Sequence, residues 1–85
     1  MSKQVPGRSW QAANGLHLDT RGLSPPDPAV AVIWHIEQPD ETGPITVYLD
    51  RHPIYLFPEL AERGWTAKVV SPEPGNVRLI LKPEE

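Results

Sequence analysis

The chain has 85 residues, a formal net charge of −3 from 8 Lys and Arg against 11 Asp and Glu, and no cysteine. A domain this small buries only about 60–65% of the surface its unfolded chain exposes, so a surface groove or docking face fits it better than a deep active site. The missing thiols exclude disulfides, thiolate zinc sites, iron–sulfur ligation and cysteine nucleophiles, and an acidic balance without a basic run argues against nucleic acid.

A small secreted domain would usually carry disulfides, so a cytoplasmic location is expected. No apolar run approaches the ~20 residues that span a membrane, and the N-terminal stretch lacks the apolar core of a signal peptide.

Residues 1–14 are polar, include Pro6 and Gly7, and show no period. They read as a flexible N-terminal arm whose one large apolar residue is Trp10, with the domain proper over residues 15–83. Leu16-His17-Leu18-Asp19 alternates and reads as the first strand, with Leu16 and Leu18 facing the core. Arg21-Gly22-Leu23 is a turn. Ser24-Pro25-Pro26-Asp27-Pro28 then opens a helix, because the first turn has N–H groups without intrahelical partners and tolerates proline. With Pro25 as N-cap, Pro26 stands at N1, Pro28 at N3, and Asp27 puts a carboxylate at the positive end of the dipole. The helix is predicted from residue 26 to about 38, ended by Pro39.

Ile45-Thr46-Val47-Tyr48-Leu49-Asp50 is a second strand, with Ile45, Val47 and Leu49 on one face. Pro58 divides the next region into a short turn over residues 54–57 and a helix over 58–63, closed by Gly64 in the left-handed conformation that ends helices. Trp65 to Val70 alternates as a third strand, with Trp65, Ala67 and Val69 on one face. A breaker-rich turn leads into a last strand over residues 77–82. The order is β-α-β-α-β-β. Right-handed crossovers place both helices on one face, giving an α+β two-layer sandwich with the other sheet face open.

Leu18-Asp19-Thr20-Arg21-Gly22-Leu23-Ser24-Pro25-Pro26-Asp27-Pro28 resembles the signature of the TusA/SirA-like small proteins. In these, a strand ends in Leu-Asp-x-Arg-Gly-Leu and a Cys-Pro-x-Pro motif opens the first helix. Leu49-Asp50-Arg51-His52-Pro53 and Pro58-Glu59-Leu60-Ala61-Glu62-Arg63-Gly64-Trp65 resemble a branch of that superfamily, widespread in bacteria and known only as a domain of unknown function. The resemblance covers residues 16–82 and implies a four-stranded mixed sheet, order 1-2-4-3, with two helices on one face. It also implies sulfur transfer through a persulfide on the motif cysteine. Here that position is Pro25, which has no nucleophile, so the scaffold carries over and the sulfur-carrier role does not. The signature residues are Asp19, Arg21, Gly22, Pro25, Pro26 and Pro28.

The remaining constellations are weak. His17, His35 and His52 show no metal-binding spacing. A candidate ligand edge gathers Asp19, Arg21, Asp50 and His52. Asp19, Asp50 and His52 could hold a metal there, but Asp50 or His52 could equally cap the second helical region. Arg21 could serve an anion at the helix mouth or pair with Asp19 or Asp27. Asp40, Glu41, Glu84 and Glu85 are solubilising charges. In the first helix Ala29, Val32, Ile33 and Ile36 form a core stripe. The surplus apolar residues, Val30 and Trp34, widen that stripe or form a partner surface, and the open sheet face with Tyr48 and Ile80 is a second candidate docking face. One aromatic on that face is too few for an RNA-stacking platform. No catalytic residue, metal or cofactor is expected. The chain reads as a non-catalytic protein-interaction or adaptor module, with a protein partner or a homodimer. The alternative is a small-ligand, anion or metal-binding regulatory domain.

Overall fold

A computed structural model describes residues 7–24 and 27–84. The elements in chain order are β1 (Arg8–Ala12), β2 (Gly15–Asp19), α1 (Asp27–Ile36), β3 (Ile45–Leu49), α2 (Leu56–Glu62), β4 (Trp65–Ser71) and β5 (Val77–Pro83). The five strands form one mixed sheet in the order β1-β2-β3-β5-β4. β2 and β3 are parallel, as a helical crossover requires, and the other pairs are antiparallel.

Side-chain alternation builds the core. Leu18, Val47, Leu79 and Val69 form one row across β2, β3, β5 and β4, and Leu16, Ile45, Leu81 and Ala67 form the next. Val32 and Ile36 of α1 and Leu56 and Leu60 of α2 are buried in the same cluster. The helices touch one another, so they share that face. Arg63 ties their ends: its Nε donates to Glu37 Oε2 at 3.1 Å and its Nη1 to Glu59 Oε1 at 2.9 Å.

The four expected strands keep their expected order. The strand count is corrected from four to five, because residues 8–12 of the supposed arm pair antiparallel with β2, Arg8 opposite Asp19 and Ala12 opposite Gly15. All five β1 side chains are exposed, so the strand has no inward and outward alternation to read. Residues 1–6 of that arm lie outside the described residues.

Pro58 does not break α2. With Tyr55 as N-cap, Pro58 is the third helical residue, where its missing N–H has no partner to lose. Gly64 follows the C-cap Arg63 with φ +76°, and its N–H donates to the Ala61 carbonyl. α1 ends at Ile36, two residues short of expectation, and the Gln38 side chain donates to the Trp34 carbonyl at 2.8 Å. The N-cap and N1 assignments of Pro25 and Pro26 lie outside the described residues. No described helix is long and apolar enough to cross a membrane.

Candidate functional site

The carboxyl ends of β2 and β3 meet the amino ends of α1 and α2, and a cleft of about 320 Å³ opens there. Thr20 is zipped to β3: its N–H and its hydroxyl both donate to the Tyr48 carbonyl, at 2.9 and 2.7 Å. Asp50 holds the opposite turn. Its carboxylate accepts the Gly22 N–H at 2.7 Å and its carbonyl accepts the Gly75 N–H at 2.6 Å. Leu23, Pro28 and Leu49 give the cleft an apolar lining, with Asp50, Arg51 and His52 at its polar side. Ile54 and Tyr55, which also line it, are 72% and 47% exposed. The volume is near the lower limit of ligand pockets, about 300–1,000 Å³.

The predicted ligand edge does not assemble as one site. The Asp19 carboxylate accepts the Arg21 backbone N–H, its Nε–H at 2.9 Å and its Nη2–H at 2.9 Å, with Arg8 at 3.6 Å. The Arg21 hydrogen bonds lower the Asp19 pKa to about 2, although burial pushes the other way. The same carboxylate raises the pKa of Arg21, with a smaller attraction from Asp50. Asp19 is therefore committed to an ion pair and Asp50 to a turn. His52 lies edge-on to Phe57, with ring centroids 5.6 Å apart. Among the described residues no three His, Asp or Glu side chains could hold a metal, so the Asp19, Asp50 and His52 arrangement does not form. Neither Asp50 nor His52 caps α2, whose N-cap Tyr55 makes no side-chain bond.

The two candidate partner surfaces lie on opposite sides of the sheet, as expected. Val30 is exposed and Trp34 half-buried on α1, while Tyr48 and Ile80 lie on the opposite face of the sheet with Thr46 and Arg78. One flat partner cannot cover all four. Ile54 and Tyr55, the apolar residues that do stand out beside the cleft, carry no period that marks them in the sequence.

On the open sheet face three rings meet. Trp10 and His17 are 5.4 Å apart, and each is 5.9 Å from Tyr48, with interplanar angles of 12° to 25°. These near-equal spacings exclude a column, whose end rings would be about two steps apart. His17 and Tyr48 are joined at their edges: the Tyr48 hydroxyl lies 2.9 Å from Nδ1, and Asn14 Oδ1 lies 2.8 Å from Nε2. In the neutral ring Nε2–H donates to Asn14 and Nδ1 accepts from Tyr48. Arg21 and Arg78 flank the Tyr48 ring, at 5.4 and 5.3 Å from its centroid. The β1–β2 hairpin, absent from the sequence reading, brings Trp10 beside His17 on this face. Its local signal is Asn14-Gly15, a dipeptide typical of such turns.

No curated protein and no solved structure matches the chain. One family does, over residues 17–82, which runs from the middle of β2 nearly to the end of β5 and leaves out β1. On that match the chain belongs to the family of uncharacterized conserved proteins designated DUF2249.

Proposed function

We propose that the chain is a non-catalytic interaction module whose cleft between the helix mouths receives an apolar side chain of a protein partner. The observation that carries this reading is the apolar lining beside exposed Ile54 and Tyr55. Isolated exposed apolar residues are ordinary, but two in succession flanking a concave apolar site suit an interface. Thr20 and Asp50 beside the cleft already have structural partners, and the chain has no thiol. The resemblance of residues 18–28 to the TusA/SirA-like signature supports a further step. In this reading the cleft is that scaffold's working end, kept for recognition after Pro25 replaced the sulfur-carrying cysteine. The order of β2, β3, β5 and β4 supports the same kinship.

Titration of isotope-labelled protein with short peptides carrying a single Leu, Phe or Trp tests the proposal. Amide shifts should centre on Leu23, Leu49, Ile54 and Tyr55. Burying an isoleucine contributes about 1.5–3 kcal/mol, so Ile54→Asp should weaken binding about tenfold or more while the melting temperature holds. Shifts that avoid the cleft, or an Ile54→Asp variant that binds as well as the parent, would refute it.

A further inference from the structure

The basic residues are scattered along the sequence, but the pleat gathers them. On β4 and β5 the core side chains are Ala67, Val69, Leu79 and Leu81, so Lys68, Arg78 and Lys82 project from the open face. Arg8 and Arg21 reach the same face through Asp19 and the Tyr48 ring. Five cations thus stand against Asp19 and against Asp50, whose carboxylate also acts on Arg21, a local charge of +3. The other described residues hold two cations and eight carboxylates, or −6. Lys3 and Glu85, outside the described residues, cancel, which leaves the overall −3.

We infer that this face binds single-stranded nucleic acid, a polyanion with planar bases. The overall negative charge does not oppose it. The molecule is 27 Å across its shortest axis, and salt screens charges beyond about 8 Å at physiological ionic strength. A ligand at the sheet therefore meets the local +3. The rings select among anions. Trp10 is 43% exposed, so its ring can stack a base, and guanidiniums beside Tyr48 add a cationic, planar surface. An acidic peptide would use the charges but not the rings. A duplex hides the faces of its bases, so single strands are favoured. Open sheets of this size stack about two or three bases.

Fluorescence anisotropy of a labelled ten-nucleotide oligouridylate, with oligothymidylate, a duplex and polyglutamate as comparison ligands, provides the test. The single strands should bind at 50 mM salt. Contact with about three phosphates predicts roughly twentyfold weaker binding at 200 mM. Lys68→Glu with Lys82→Glu, remote from the ring cluster, should weaken binding at least tenfold with an unchanged circular dichroism spectrum. Trp10→Ala should cost about fivefold or more. Ile54→Asp should bind the oligonucleotide normally, which separates this face from the cleft. No oligonucleotide binding at 50 mM salt would overturn the inference. So would polyglutamate binding as tightly as the oligonucleotide, or indifference to the double charge reversal.

Discussion

Replacing Asp19 by Asn removes one charge from the open face and almost no volume. The carboxylate titrates at about 2 rather than its ordinary 3.8, chiefly because Arg21 donates to it. At 1.36 kcal/mol per pH unit the difference corresponds to about 2.4 kcal/mol. The Arg21 side chain is 42% exposed, so solvent screening reduces the expected contribution to about 1–2 kcal/mol. The folded protein holds this proton less tightly than the unfolded chain. The stability is therefore fully present well above 3.8, and it is lost as pH falls through the folded value near 2. Urea denaturation followed by tryptophan fluorescence should show Asp19→Asn less stable by about 1–2 kcal/mol at pH 7. The two curves should draw together from pH 4 to about pH 2. Burial also lowers the pKa of His35, so both proteins lose stability below neutral pH, but that loss cancels in the difference. A difference that stays constant down to about pH 2, or that is absent at pH 7, would refute the ion pair as its source.

Leu79 is fully buried at the centre of the sheet. Leu79→Ala should cost about 2–5 kcal/mol, comparable with the whole stability of a domain this size, about 3–5 kcal/mol, and calorimetry should show a transition lowered to near or below room temperature. Gly15 has φ +113°, and a Cβ there would sit 2.5 Å from the Pro44 carbonyl oxygen. Gly15→Ala should therefore destabilise by about 2 kcal/mol or more in urea.

Most of the fold was legible because each piece announced itself locally. Leu16 and Leu18, Ile45, Val47 and Leu49, and Trp65, Ala67 and Val69 alternate, and all pack inward. α1 is legible through its prolines because the N–H groups of a first helical turn have no intrahelical partners. The same rule admits Pro58 at the third position of α2, where the sequence alone suggests a break. β1 escaped because its residues face water on both sides, so alternation carries no information there. The candidate sites fared worse for a different reason. Asp19 and Asp50 do end adjacent parallel strands, as expected, but Asp19 points to the open face with Tyr48 while Asp50 holds the Gly22 turn. Val30 on the helix and Tyr48 on the open sheet face are separated by the thickness of the sheet, as the strand alternation implies. Which residues share a face is local information; which faces share a surface is set by pairing.

The same pairing explains how one small domain can present two unlike surfaces. Its helices cover one side of the sheet, so the apolar cleft forms at the edge where helix mouths and strand ends converge. No described element covers the other side, and the pleat sends Lys68, Arg78 and Lys82 outward there from strands whose alternate residues pack into the core. Solvation alone would not stack Trp10, His17 and Tyr48 there. Trp10 and His17 stand in one row with Thr46, and the ring cluster pins an edge strand whose side chains contribute nothing to the main core. A bare edge strand is prone to pair with other chains. Anchoring β1 with rings and the Arg8–Asp19 contact moves that edge one strand outward, away from the strands that carry the core. The aromatic and cationic character of the open face therefore has a structural origin first, and any ligand it takes uses groups already needed to hold the fifth strand.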